Sequence, residues 1–262
     1  ANSSKYLFHY RLLLINTVKK KQDLVLIAPL DSTSEYLLKE NHLIPWGIKR
    51  EKDQNFLSLL TSFISLIRII IKVKPKLIHS HTLKTNLLVV VISAFYGIPC
   101  ILSFAGLGTL LSKKGLSRLI LPAVLKTISL FSFIEFKKNY KLKINKNKTY
   151  LIFQNENDKL FFQKNAPYFS NENIKLICGS GIPDKYFHAS RKIENKWSSE
   201  LQNVENFEID FIYCSRLLKS KGVEIFIKLS SLFPKHNFTV FGEIDKAKKE
   251  FLNFKEISFY EK

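Results

Sequence analysis

Short apolar runs alternate with longer amphipathic ones from one end of the chain to the other. The short runs, rich in Ile, Leu, Val and Phe, predict strands at residues 24–28, 77–79, 101–104, 150–153, 174–178, 209–214 and 238–241. Between them a helical period predicts helices at 5–19, 34–40, 56–73, 85–95, 116–128, 158–164, 222–233 and 246–251. Several of the strands are apolar on both faces, as strands of a parallel sheet covered by helices are. Strand and helix alternating in this way predict an α/β fold. One stretch, residues 87–104 (LLVVVISAFYGIPCILSF), is long and uncharged enough to resemble a membrane span. Gly97 and Pro99 divide it, so it reads as a buried helix ending near Tyr96 followed by a buried strand.

A change of composition breaks the alternation once. Residues 184–208 (DKYFHASRKIENKWSSELQNVENFE) are polar, charged and without strand character, which marks a linker. It separates a first domain at 1–183 from a strand-helix-strand unit at 209–262 that opens a second domain. No internal repeat or low-complexity tract interrupts either part.

With 46% hydrophobic and 24% charged residues in a chain of 262, the composition is that of a globular protein and excludes a disordered tail or a small disulfide scaffold. Lys and Arg number 41 against 22 Asp and Glu, a formal net charge of +19, which points to an anionic partner. The Lys-, Asn- and Ile-rich, Ala- and Gly-poor usage is that of AT-rich coding sequence and accounts for part of this charge. Met is absent at every position, so the chain is expected to be a piece of a longer protein. Cys100, Cys178 and Cys214 lie in apolar runs without a Cys-x-x-Cys spacing and are expected to be buried free thiols, consistent with a cytoplasmic location. Walker-type loops, Gly-x-Ser-x-Gly elbows and His-Glu-x-x-His helices are missing from the sequence, which removes most kinase, hydrolase and metalloprotease readings.

Four segments could carry chemistry. In residues 209–222 (IDFIYCSRLLKSKG) a strand ends at Ser215-Arg216 and a short basic loop leads to Lys221-Gly222 at the start of a helix. Two cations beside a helix N-terminus make a phosphate site, or else a solvated basic loop. In residues 176–183 (LICGSGIP) Gly179 and Gly181 flank Ser180 directly after a strand, without the third glycine of a dinucleotide fingerprint. Residues 103–110 (SFAGLGTL) place Gly106 and Gly108 after another strand, and residues 79–86 (HSHTLKTN) gather His79, His81 and Lys84 at a strand-to-helix turn. His79 and His81 share a face if the strand runs through both, but no carboxylate or Cys stands near them, and no metal is expected.

Taken together and in this order, these segments resemble the glycosyltransferases of family 4, which have the two-domain GT-B fold. The resemblance starts at YLFHYRLL (6–13) and LVLIAPLD (24–31), and runs through KPKLIHSHTLKTN (74–86), FAGLGTLL (104–111), LIFQNENDKLFF (151–162) and ICGSGIPDKYF (177–187). It closes with YCSRLLKSKGVEIF (213–226) and FTVFGEID (238–245). It implies two Rossmann-like domains, with the first strand of the N-terminal domain and most of the C-terminal domain missing from this chain. It is similar in pattern to bacterial members that extend undecaprenyl-diphosphate-linked oligosaccharides, taking a sugar with retention from a nucleotide-diphosphate donor, usually a UDP-sugar.

By that resemblance Arg216 and Lys221 hold the donor pyrophosphate, Gly179, Ser180 and Gly181 lie near the donor, and Gly242 lies near the nucleotide base. Arg11, His81, Lys84, Gly106 and Gly108 belong to the acceptor side. No cofactor is implied. The positive charge and the amphipathic helix at 56–73, with Arg68 and Lys72, fit an enzyme peripheral to the anionic inner face of the plasma membrane. The alternative is a non-catalytic basic α/β protein that binds acidic lipid or nucleic acid. Aromatic residues lie in apolar runs rather than on exposed platforms, so nucleic acid is not the expected partner.

Overall fold

The computed structural model describes residues 1–40, 42–47, 56–107, 116–136, 142–144, 149–166, 168–181 and 208–242. The chain forms two compact units, Ala1–Pro183 and Asp184–Lys262.

The first unit opens with helix α1 (Ser4–Lys19), whose N-terminus is capped by the Ser3 hydroxyl accepting the Tyr6 N–H. Strand β1 (Val25–Ala28), helix α2 (Ser34–Glu40) and strand β2 (His42–Pro45) follow as one strand-helix-strand unit, with β1 and β2 parallel. Leu7 and Ile15 of α1, Leu26 and Ala28 of β1, Leu37 of α2 and Leu43 of β2 form its apolar core. Trp46, just beyond β2, donates its indole N–H to the Ser62 carbonyl at 2.9 Å and so fixes helix α3 (Phe56–Val73) to the strand end.

A four-stranded parallel sheet then forms in the order β3 (Ile78–His81), β4 (Cys100–Phe104), β7 (Thr149–Phe153), β8 (Ile174–Leu176). Helix α4 (Leu83–Tyr96) joins β3 to β4 and stops at Gly97, whose left-handed conformation lets its N–H reach the Ser93 carbonyl. The long apolar stretch is thus a helix and a strand, and among the described residues no helix is long and apolar enough to cross a membrane. Helix α5 (Leu116–Phe133) and the antiparallel pair β5 (Ile134–Phe136) and β6 (Leu142–Ile144) precede β7. Helix α6 (Glu156–Asn165) joins β7 to β8. The largest core cluster lies around this sheet, where Phe104 stacks on Phe153 at 4.8 Å between ring centres and Phe162 of α6 closes on both. Neither β1 nor β3 has a strand on its second edge among the described residues.

In the second unit β9 (Asp210–Cys214) pairs parallel with β10 (Asn237–Phe241) across helix α7 (Val223–Leu232). Leu217, Val223 and Ile227 form its core beside Tyr213.

Among the described residues the strands and helices stand close to their predicted places, with differences at three short strands and two cysteines. Strand β2 and the β5–β6 pair are three or four residues long, too short for a period to show, and pairing rather than pattern makes them strands. Cys100 is buried as expected, but Cys178 and Cys214 are exposed. Cys178 lies past the end of β8, and Cys214 ends a strand whose residues are mostly open to solvent. The helix expected at 246–251 lies outside the described residues.

Because Phe153 is fully buried between Phe104 and Phe162, Phe153→Ala should cost about 3–5 kcal/mol. Chemical denaturation of the variant should show a lower midpoint with an unchanged slope, and an unchanged midpoint would contradict this packing.

Candidate functional site

Parallel strands deliver their carboxyl ends to one edge of the sheet, so loops far apart in sequence meet there. In the first unit that edge carries the exits of β3, β4, β7 and β8.

At the exit of β3 the rings of His79 and His81 are 4.3 Å apart, and His79 Nε2 lies 2.8 Å from Ser103 Oγ. The His81 ring is 5.6 Å from that of Tyr6 in α1. The Tyr6 phenol oxygen accepts from Arg11 Nε at 3.0 Å and Nη2 at 2.7 Å, so Arg11 and His81 meet through Tyr6. Burial pushes His79 down to about 4, with the Arg11 guanidinium adding to the effect. Burial, then His79, then Arg11 push His81 down to about 2. Both rings are therefore neutral at pH 7 and serve as hydrogen-bonding groups, while Arg11 supplies the charge.

Strain and unpaired polar atoms gather at the same turn. Thr82 has φ 75°, a region that β-branched residues avoid, at a cost of about 1–3 kcal/mol. Its N–H donates to the Ser103 carbonyl at 3.2 Å, which also accepts Asn86 Nδ2 at 3.0 Å. Ser80 Oγ, His81 Nδ1 and Asn86 Oδ1 are buried without a hydrogen-bond partner among the described residues, unusual for buried polar groups. Lys84 stands half-buried in the first turn of α4.

At the exit of β4, Ala105 and Gly106 are exposed and Leu107 turns into the core. The Leu107 N–H donates to the Asp158 carboxylate of α6 at 2.8 Å. Gly108 lies outside the described residues. At the exit of β7, Gln154 Nε2 donates to Gly179 O and Ser180 Oγ, both at 3.3 Å, and so ties down the loop after β8. That loop turns through left-handed glycines at Gly179 (φ 74°) and Gly181 (φ 81°) and is exposed. The structure therefore brings Arg11, His81, Lys84, Gly106, Gly179, Ser180 and Gly181 to a single edge of the first unit.

The second unit has an edge of the same kind. The Ser215 N–H donates to the Phe241 carbonyl at 3.1 Å, extending the β9–β10 pairing. Gly242 packs so closely that a Cβ there would collide with the Ser215 carbonyl oxygen. Leu217 and Leu218 are buried and anchor the turn, which leaves Arg216 and Lys221 exposed on either side. Tyr213 Oη lies 3.2 Å from Lys221 O and 3.5 Å from Arg216 O, so this hydroxyl braces the turn from within. Gly222 caps α7 without a side-chain bond, so the first N–H groups of that helix, which follow Lys221 directly in sequence, have no capping side chain. Two cations at a helix N-terminus suit a phosphate or diphosphate.

Tyr6, Ser103, Gln154, Asp158 and Tyr213 do this positioning and are not singled out by the sequence. Only Asp158 leaves a local trace, the Asn155-x-x-Asp158 spacing of a helix cap. Among the described residues no group of three or more His, Cys, Asp or Glu could hold a metal ion.

No protein-family model and no curated protein sequence matches the chain. Solved structures do match. The chain is similar to a glycosyltransferase from Rickettsia africae ESF-5 at 14% identity and a TM-score of 0.55, over 96% of this chain and 58% of that one. It is similar to sucrose-phosphate synthase from Thermosynechococcus elongatus at 10% identity and a TM-score of 0.61, over 96% of this chain and 60% of that one. It is also similar to UDP-GlcNAc 2-epimerase from Neisseria meningitidis, solved with UDP-GlcNAc bound, at 15% identity and a TM-score of 0.50, over 95% and 63% of the two chains. At these identities the likeness shows the fold, which is the Rossmann-like α/β architecture of GT-B type. The chain spans 58% to 63% of the length of these structures.

The neutral histidines make stability depend on pH. Both protonate near 6.5 when unfolded and well below that when folded, so the unfolded chain gains protons first as pH falls. Their contribution is complete above about 6.5 and is lost below it, by about 2 kcal/mol for each ring at pH 5. Thermal melts from pH 8 to pH 5 should show a falling Tm, with a shallower fall in His81→Asn. Equal slopes in the two proteins would contradict the buried neutral pair.

Proposed function

We propose that the chain is part of a glycosyltransferase that moves a sugar, with retention, from a nucleotide-diphosphate donor, a UDP-sugar, to a lipid-linked saccharide. The observation that carries this reading is the turn of the second unit, where Arg216 and Lys221 flank the N-terminus of α7 at the carboxyl end of β9. As the bond from the sugar to the diphosphate breaks, negative charge collects on the departing phosphate oxygens. Fixed cations and helix N–H groups stabilise that charge without a metal. The fold shared with a glycosyltransferase, and with an epimerase solved with UDP-GlcNAc, supports a nucleotide-sugar donor.

On the acceptor side we place Arg11, His81, Lys84 and the Gly106 loop. A guanidinium suits an anionic group of the acceptor, and neutral imidazoles suit sugar hydroxyls. Helix α3 favours a lipid-borne acceptor, because Leu60, Ile64 and Ile71 are exposed on it together with Arg68 and Lys72. An exposed apolar face set among cations fits the surface of an anionic bilayer. The protein then works in the cytoplasm, peripheral to the inner face of the plasma membrane, and nucleic acid is not its partner.

Titrating UDP, GDP and duplex DNA at two salt concentrations tests this reading. UDP should bind in the micromolar range, and the double variant Arg216→Ala/Lys221→Ala should weaken it at least about a hundredfold, two charge-assisted contacts being lost. Binding that follows total phosphate and disappears in salt would instead identify a basic protein for acidic lipid or nucleic acid.

A further inference from the structure

We propose that Asp158 is a positioning residue for the acceptor side, holding the Gly106–Leu107 loop in the conformation that receives the acceptor. The proposal rests on the acceptor-side reading of that loop. Asp158 stands on α6, 51 positions from Leu107, yet its carboxylate accepts the Leu107 N–H at 2.8 Å. Both ends of the bond are closed to water, with Asp158 3% and Leu107 1% exposed.

The carboxylate is itself held in place. Asn155 caps α6 by accepting the Asp158 N–H on Oδ1 at 2.8 Å, and Asn155 Nδ2 donates back to Asp158 Oδ2 at the same distance. In a common capping box the third helical residue turns its side chain back to the backbone N–H of the cap. Here the Asn155 side chain meets the carboxylate instead, and the same Oδ2 is left to take an N–H from the loop of another strand. A negative group in the first turn of α6 is also favoured by the helix dipole. The cap therefore serves two elements at once, the start of α6 and the exit of β4.

The effect on the loop follows from what else holds it. Below, the Leu107 side chain belongs to the core cluster that contains Phe104, Phe153 and Phe162. Above, Ala105 and Gly106 are exposed. A buried side chain alone leaves the preceding backbone free to rotate about it. The lateral bond to Asp158 removes that freedom, so the exposed peptide of Gly106 presents one arrangement of its polar groups. A single arrangement lowers the ordering cost of binding, and its loss should weaken acceptor binding without touching the donor turn in the second unit.

The test compares the full chain with Asp158→Ala and Asp158→Asn. Asparagine keeps the shape and one oxygen acceptor, whereas alanine removes the acceptor. Three quantities are read: deuterium exchange at the Leu107 amide, UDP affinity, and affinity for farnesyl diphosphate in detergent micelles as the probe for a lipid-diphosphate acceptor. Asp158→Ala should speed exchange at Leu107 at least about tenfold and weaken farnesyl diphosphate at least about tenfold. UDP affinity should stay within about twofold, and Asp158→Asn should recover part of both losses. Unchanged exchange, or faster exchange with undiminished farnesyl diphosphate binding, overturns the proposal. A parallel fall in UDP affinity overturns it too, since it shows a general loosening. If the unaltered chain binds no farnesyl diphosphate, the acceptor-side reading fails and the proposal with it. Should Asp158→Ala not fold, Asp158→Glu, which moves the carboxylate by one methylene, replaces it in every comparison.

Discussion

The parallel pairing of β4 with β7, from Cys100 opposite Thr149 to Phe104 opposite Phe153, is the constraint on which the first unit depends. It joins strands that lie 49 residues apart and stacks Phe104 on Phe153 at an interplanar angle of 8°. A shift of one residue would turn every buried side chain of β4 to the opposite face. With the register fixed, the residues that follow are fixed as well. Leu107 comes beside Asp158, Gln154 comes beside Gly179 and Ser180, and Ser103, opposite His81 on β3, shares a bond with His79 and accepts from Thr82 and Asn86. The polar edge is thus a product of apolar packing below it.

The second unit applies the same rule at smaller scale. Pairing of β9 with β10 runs one bond past the strands, from Ser215 to Phe241, and the close approach there leaves room only for glycine at 242. Buried Leu217 and Leu218 and the Tyr213 hydroxyl then hold a turn that carries exposed Arg216 and Lys221 ahead of α7, while Lys219 of the same turn pairs with Glu224 at 3.0 Å. In both units fixed backbone and the side chains that brace it do the positioning, and a few cations supply the field.

Much of the fold is legible in the sequence because period and breaks are local signals. Gly97 and Pro99 divide α4 from β4 where the structure does, and the apolar runs mark all four strands of the main sheet. Strand β2 escapes because four residues ending in Pro45 show no period, and it exists through its pairing with β1. Cys178 and Cys214 sit in apolar runs yet are exposed, since a run states hydrophobicity and not what covers it. The candidate residues are visible as strand-end loops, whereas their supports are not. Nothing in a linear reading brings Tyr6 to His81, or Asp158 to Leu107, because those contacts exist only once the strands have paired.

Whether ligands meet the chain at the carboxyl ends of its strands is tested most directly by hydrogen–deuterium exchange along the whole chain with and without UDP. Slower exchange at residues 213–225, from the end of β9 into the first turn of α7, is the predicted result. Slowing at the amino ends of β9 and β10 instead, or the same pattern produced by duplex DNA, would contradict it.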